Sequence, residues 1–169
     1  SGVLIAQYFV GFSEGCENKE KLDAQTLGKA FETGSQSARE AMEDPREGTI
    51  LTVFQDLSDI INIEINNGMD DIYELMKIGY KTACKSLEDT PQKLKILKKA
   101  GVVDAGAQGF VDFLTGMMNF MKDGSLKELD FSNLTIENKE SQTEGHHYNE
   151  EIDINYRYCT ECRVKGSQI

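Results

Sequence analysis

The sequence predicts an all-α fold, an antiparallel helical bundle or closed helical ring, over residues 1–124. Three observations favour it: apolar residues recur at helical spacing, the connections between these stretches are short, and capping residues and glycines separate them. The pattern then stops. We expect a polar linker over residues 125–151 and, over 152–169, the start of a second domain with a β-strand.

The first two predicted helices are expected to pack closely. The first covers residues 3–12 and is broken by Gly15. The second covers residues 22–42, and its inward face is rich in small residues. That face consists of Leu27, Ala30, Phe31, Gly34, Ala38 and Ala41. Small side chains on one face predict a neighbouring helix that approaches closely.

A helix start is predicted at Asp44-Pro45-Arg46-Glu47. Asp44 can cap, Pro45 suits the first helical position and Glu47 can reach back to the cap. The helix that follows carries an apolar stripe and ends in INIEIN. That alternation leaves a strand-like finish open, although one continuous helix is the simpler interpretation.

The remaining helices are predicted from the same kinds of capping, proline and glycine signals. Gly68 precedes the most regular amphipathic stretch, residues 69–87. Thr90-Pro91 repeats the order of cap and proline and predicts a short helix that ends at Gly101. The last core helix carries Phe110, Phe113, Leu114, Met117, Phe120 and Met121, and residues 123–125 end it.

The C-terminal stretch has a different composition. Residues 132–151 are polar without a helical stripe, and IDINYRYCTECRV alternates as a strand does. Because one strand cannot bury its face alone, we expect the chain to stop inside a second domain. The pair Cys159 and Cys162 supplies two zinc ligands where a structural site needs four. Two neighbouring strand cysteines are therefore the preferred interpretation, with zinc or redox roles left open.

Charge and composition restrict the class of protein. The formal net charge is −11, from 29 acidic and 18 basic residues, which disfavours nucleic acid and anionic membrane as partners. No run of 18 apolar residues occurs. Four cysteines in 169 residues do not make a disulfide framework, so a reduced, cytoplasmic setting is predicted.

Several kinds of chemistry are excluded or weak. Both histidines lie in the predicted linker, which excludes a histidine-based triad within the helical part. No GxxxxGK[ST] motif occurs. Glycine, serine and threonine turns instead fall at three predicted helix starts, at Ser1, at Thr49 and at Asp104. Free N–H groups at helix starts bind anions. Each turn alone is usually just a cap, but three together favour a nucleotide site.

Four stretches of the sequence resemble one family. SGVLIAQYFVGF is similar to the segment after the GNSG turn of the DhaL-like domain, the nucleotide-binding domain of dihydroxyacetone kinases. EDPREGTILTV and TPQKLKILKKAGVVDAGAQGF are closer to the fatty acid kinase branch, and YRYCTEC resembles the strand that opens the next domain. The resemblance covers about residues 1–122 and 152–164.

The resemblance implies a barrel of antiparallel helices that binds Mg-ATP and transfers its γ-phosphoryl group to a small acceptor. In the fatty acid kinase branch the acceptor is a fatty acid held by a separate DegV-like protein. Positions that match the nucleotide-contacting motifs are Ser1, Gly2, Thr49, Leu51, Asp104, Ala105 and Gly106. Gly106 is expected to let the backbone approach the ligand, and Gly109 to serve tight helix packing.

One part of the family pattern is absent. The family's magnesium ligands are aspartates of a DGDTG-type motif, which does not occur in this sequence. We therefore expect a fragment that is inactive alone and that needs the rest of its own chain. No metal ligand or catalytic residue is assigned within it. The alternative is a non-catalytic helical scaffold that docks a DegV-like partner.

Overall fold

The computed structural model of the protein describes residues 2–124. Six α-helices make up this part: α1 (Gly2–Gly15), α2 (Ala24–Glu40), α3 (Ile50–Asn66), α4 (Ile72–Lys93), α5 (Lys95–Ala100) and α6 (Ala105–Asp123). Between residues 2 and 124 no strand occurs, so the predicted all-α class is confirmed there. Ser1, the expected linker 125–151 and the expected strand at 152–169 with its cysteines lie outside the described residues.

The helices form a bundle around one apolar core. Each of the first four packs against the next along the chain, and α6 packs against both α3 and α4. The most deeply buried large side chains are Tyr8, Phe54, Leu57, Ile61, Leu75 and Leu114. Among the helices of residues 2–124, none is both long and apolar enough to cross a membrane.

The contact between α1 and α2 is close, as the small residues of α2 predict. A Cβ atom added at Gly34 would lie 2.9 Å from the carbonyl oxygen of Tyr8. One added at Gly11 would lie 2.6 Å from the Cβ atom of Ser37. Both distances are shorter than a carbon side chain tolerates, so glycine is required where these two helices cross.

The predicted helix start at Asp44 and Pro45 is wrong. α3 begins at Ile50, with Thr49 as its N-cap. Gly48 adopts a left-handed backbone with φ of 78°, which interrupts any helix that would begin at Pro45. The Glu47 carboxylate, predicted to reach back to the cap, accepts from Arg39 and Thr52 instead.

The predicted helix start at Thr90 and Pro91 is also wrong, because α4 continues through both residues to Lys93. A proline removes the N–H group that would bond the carbonyl four residues earlier, here that of Leu87. The hydroxyl of Thr90 donates to this carbonyl instead, at 2.7 Å. The loss at Pro91 is thereby repaired within the helix.

The end of α5 follows the sequence prediction. Gly101 lies in the left-handed region with φ of 67°. The N–H of Val102 donates to the Leu97 carbonyl at 3.2 Å, and that of Gly101 to Lys98 at 3.3 Å. These two bonds form a Schellman motif.

Of two further predictions, one is confirmed and one is wrong. INIEIN is helical, since α3 continues to Asn66, which confirms the single-helix interpretation. The expectation of tight packing at Gly109 is wrong, because no heavy atom of the described residues outside the adjacent backbone of α6 lies within 4 Å of a Cβ atom added there.

Candidate functional site

A cavity of about 620 Å³ lies between the first turns of α3 and α6. Its lining includes five of the residues that the sequence analysis singles out: Thr49, Leu51, Asp104, Ala105 and Gly106. Two separate segments, 55 residues apart in the chain from Thr49 to Asp104 (104 minus 49), therefore meet at one place. Gly2 is not among the lining residues, although Leu4 from the same first turn of α1 is. Ser1 lies outside the described residues.

Thr49 organises the α3 side of the cavity. Its hydroxyl donates to the Arg46 carbonyl at 2.7 Å and accepts from the Leu51 N–H at 3.3 Å. Its carbonyl accepts from the Thr52 N–H at 3.0 Å. By helix geometry the Ile50 N–H has no acceptor within the helix.

The loop before Thr49 is held in place by hydrogen bonds to the Thr52 hydroxyl. The N–H of Gly48 donates to the buried Thr52 hydroxyl at 2.9 Å, and that hydroxyl donates to the Glu47 carboxylate at 2.7 Å. A Cβ atom added at Gly48 would lie 2.9 Å from the Leu94 nitrogen. The loop therefore packs against the junction of α4 and α5, and glycine is needed for both its φ and its lack of a side chain.

Asp104 organises the α6 side. Its carboxylate accepts from the Ala107 N–H at 2.8 Å, and its carbonyl accepts from the Gln108 N–H at 2.9 Å. This is the N-cap that the sequence predicts. The N–H groups of Ala105 and Gly106 have no acceptor within the helix, and both residues line the cavity.

The cavity offers backbone donors rather than a cluster of cations. Two helix N-termini border it, each with a partial positive charge of about half an elementary charge. Arg46 is the basic residue among those that line it, and it pairs with Asp44 at 3.3 Å on the exposed rim. N–H donation and helix dipoles favour an anion here, against three carboxylate residues that also line the cavity, Glu43, Asp44 and Asp104.

Glu47 adds a fixed negative charge behind the α3 turn. Hydrogen bonds from Thr52 and then from Arg39 lower the pKa of this carboxyl group. The Arg39 guanidinium lies 3.0 Å from the carboxylate. The carboxylate therefore pairs with Arg39 and holds the loop, and Glu47 is not among the residues that line the cavity.

The described residues do not form a metal site of their own. No group of three or more His, Cys, Asp or Glu side chains between residues 2 and 124 could hold a metal ion. Asp44 and Asp104 line the cavity, but they already accept hydrogen bonds from Arg46 and Ala107. The residues that the structure describes thus offer N–H donors that suit phosphate oxygens, but no group of three or more carboxylates that could hold a metal ion without the phosphates.

A second cavity, of about 330 Å³, lies among α1, α2, α4 and α6 and is lined by apolar side chains and the Tyr8 ring. It presents no polar surface and so cannot bind phosphate.

Sequence reasoning missed part of the cavity lining and its supports. Met42, Glu43 and Ile50 line the cavity as well, and no motif marks them. Thr52 and Thr90 hold the two turns through bonds to Gly48 and to the backbone of Asp104. The sequence motifs TP at 90–91 and LTV at 51–53 contain these threonines, but nothing in the motifs indicates which backbone groups their hydroxyls bond.

Fold and site together define a helical domain with a cavity bordered by two helix starts. The model of the DAK2 domain family matches residues 1–119, and the chain therefore belongs to this family. The DhaL-like resemblance is thereby confirmed at the level of the domain, which fits a dihydroxyacetone kinase-type nucleotide-binding subunit.

The chain is also similar to longer proteins. Uncharacterized proteins of Staphylococcus aureus strains USA300 and NCTC 8325 / PS 47 are each 34% identical over 168 residues, which is 98% of this chain. The chain spans about 30% of the length of these relatives.

Proposed function

We propose that this chain forms part of the Mg-ATP site of a phosphotransferase that passes the γ-phosphoryl group to a small acceptor. The observation that carries the proposal is the meeting of Thr49 and Leu51 with the Asp104-Ala105-Gly106 turn around one cavity. Membership of the DAK2 family supports a nucleotide as the ligand.

In this proposal the N–H groups of Ile50, Ala105 and Gly106 donate to phosphate oxygens. The cavity volume of about 620 Å³ lies within the 300–1,000 Å³ range of small-molecule sites. Phosphoryl transfer depends mainly on positioning and on stabilisation of charge, and capped helix starts supply fixed donors for both. Ser1 and Gly2 would add the phosphate-contacting turn that the resemblance implies.

Magnesium, when bound with the nucleotide, supplies charge neutralisation at the phosphates. Its ligands are proposed to lie in an aspartate motif outside this sequence. We accordingly expect this chain alone to bind nucleotide and not to transfer phosphate.

The finer proposal is a fatty acid kinase-related protein whose acceptor is a fatty acid held by a DegV-like partner. Its support is the pair of strings EGTILTV and AGVVDAGAQG, which contribute Thr49, Leu51 and the Asp104 turn to the cavity. Assay of a longer chain with a DegV-like protein and radiolabelled ATP tests it. Transfer of label to glycerol-type acceptors but never to the fatty acid would rule out this finer proposal.

Nucleotide binding itself is tested by thermal unfolding of the 169-residue chain with Mg-ADP and Mg-ATP. A ligand at about 100 times its Kd stabilises the folded state by about 2.7 kcal/mol. The site variant is Ala105→Glu, because Ala105 is exposed at the first position of α6 and lines the cavity. A carboxylate there suits the helix dipole and repels phosphate.

The matched control is Gln25→Glu, which adds the same charge to the exposed first turn of α2, where no acidic residue stands. Both variants should fold with unchanged or slightly higher Tm. We expect nucleotide to raise the Tm of wild type and Gln25→Glu but not that of Ala105→Glu. An equal rise in all three would place the binding site elsewhere.

A second function, the non-catalytic scaffold for a DegV-like partner, is supported by apolar side chains at the surface of α1 and α6. Val10 is 50% exposed, Phe113 49% and Phe120 47%, and such side chains favour protein contacts. The thermal experiment separates the two functions, because a scaffold predicts that Mg-ADP and Mg-ATP leave the Tm of wild type unchanged.

A further inference from the structure

Thr90 ties the end of α4 to the start of α6. The two residues that it joins, Thr90 and Asp104, are separated by the segment 91–103. This segment includes α5, none of whose residues is buried. The core therefore holds α5 only weakly, although Val103, directly before Asp104, does pack against the core. Thr90 itself has no exposed surface.

One hydroxyl group makes both connections. The Thr90 Oγ1 atom donates to the Leu87 carbonyl at 2.7 Å and accepts from the Asp104 N–H at 3.1 Å. A serine or threonine hydroxyl carries one proton and can donate once while accepting elsewhere. The first bond repairs α4 at Pro91, and the second fixes the backbone of the residue that caps α6.

We infer that Thr90 is a positioning residue for the nucleotide site, an inference that rests on the proposed function. The Asp104 backbone sets where α6 begins, and so where the N–H groups of Ala105 and Gly106 point. Without the bond from Asp104, the turn samples other arrangements. The apparent Kd then rises by the inverse of the fraction that stays competent to bind.

The effect should appear as a loss of affinity. Titration calorimetry of Mg-ADP binding, well below the Tm of every variant, is the measurement. Thr90→Val removes the hydroxyl with little change in shape, and we expect its Kd to rise about tenfold, the change for a turn that is competent about one-tenth of the time. Thr90→Ser keeps the hydroxyl and should restore a Kd within about twofold of wild type.

A matched control lies on α6 away from the cavity. The Thr115 hydroxyl also donates to a helix carbonyl, that of Val111 at 2.8 Å, and contacts a second group, the Tyr80 hydroxyl at 3.0 Å. Thr115→Val therefore removes the same kind of group with the same two connections. Its Kd for Mg-ADP should equal that of wild type.

A second pair of variants separates positioning from helix repair and guards against poor folding of Thr90→Val. In Pro91→Ala, the new N–H group of residue 91 can bond the Leu87 carbonyl in the ordinary helical way. The double change Thr90→Val with Pro91→Ala then leaves α4 complete and removes only the partner of the Asp104 N–H. We expect the double variant to bind about tenfold more weakly than Pro91→Ala alone.

Hydrogen exchange of the Asp104 amide gives a readout that does not depend on nucleotide. It should be faster in the double variant than in Pro91→Ala. If wild type binds Mg-ADP and the double variant binds as well as Pro91→Ala, Thr90 serves only α4 and the inference is overturned. If wild type itself fails to bind, the proposed function falls, and this inference with it.

Discussion

The ring of Tyr8 stacks on the ring of Phe54, with centroids 4.0 Å apart and an interplanar angle of 18°. Phe110 meets Tyr8 edge-on at 5.2 Å. The Tyr8 hydroxyl is buried in this aromatic cluster and has no hydrogen-bond partner among the described residues. Burial raises the pKa of Tyr8 well above its ordinary value, so the group stays protonated and is an unsatisfied polar atom in the core.

Removal of this hydroxyl should stabilise the protein. A buried polar group without a partner costs about 1–3 kcal/mol, so we expect Tyr8→Phe to raise the free energy of unfolding by about 1 kcal/mol or more. Urea denaturation of the two proteins measures the difference.

Tyr80→Phe is the matched change with the opposite expected sign. The Tyr80 hydroxyl lies 3.0 Å from the Thr115 hydroxyl, and loss of such a bond costs about 0.5–1.5 kcal/mol. If Tyr8→Phe destabilised the protein as much as Tyr80→Phe does, the Tyr8 hydroxyl would have to be making a stabilising interaction.

Glycine substitutions should likewise divide by their surroundings. Gly109→Ala is expected to raise the free energy of unfolding by about 0.5–1 kcal/mol. Alanine favours a helix interior, and no described atom outside the adjacent backbone of α6 lies within 4 Å of the new Cβ atom. Gly11→Ala places its Cβ atom 2.6 Å from that of Ser37 and should destabilise by about 1–3 kcal/mol through overpacking. Thermal unfolding compares them, and a destabilising Gly109→Ala would revive the packing role that the sequence suggested.

The number of helices and their buried faces could be predicted from the sequence because apolar periodicity is a local signal. Leu27 and Phe31, for example, are buried in the core as their spacing on α2 predicts. Asp104 followed from a different local signal, a turn at a predicted helix start, where a capping side chain bonds an N–H only three residues away.

The helix start at Pro45 could not be decided locally, whereas the contact that continues α4 through Pro91 is local. Gly48 ends the first possibility through a backbone conformation that is stabilised by packing against Leu94, 46 residues further along the chain (94 minus 48). Thr90 removes the second by a bond to the Leu87 carbonyl that a capping interpretation of TP overlooks. The convergence of Thr49 and Asp104 also depends on contacts between distant parts of the chain, so it followed from the family resemblance and not from spacing.

The cap at Asp104 should contribute measurably to stability. Asp104→Ala removes the acceptor for the Ala107 N–H and is expected to lower the free energy of unfolding by about 1 kcal/mol. Asp104→Asn keeps an acceptor at the same position and should lose less than half of that amount. Denaturation in urea at neutral pH measures both, and equal losses would show that charge, not the hydrogen bond, dominates at this helix start.

The hydrogen bonds at Glu47 should make stability depend on pH. Because bonds from Thr52 and Arg39 lower the pKa of Glu47 in the folded state, its contribution is present above the ordinary glutamate pKa of about 4.3 and is lost as pH falls through the lower folded value. At pH 7, Glu47→Gln should therefore be less stable than wild type, by about 0.5 kcal/mol or less since the side chain is 59% exposed. The difference should shrink towards zero near pH 3, where a protonated glutamate resembles glutamine.

Glu20→Gln, at an exposed loop position, is the control in the same urea titrations. A gap between wild type and Glu47→Gln that stayed constant from pH 7 to pH 3 would show that the carboxylate charge is not what holds the loop before Thr49.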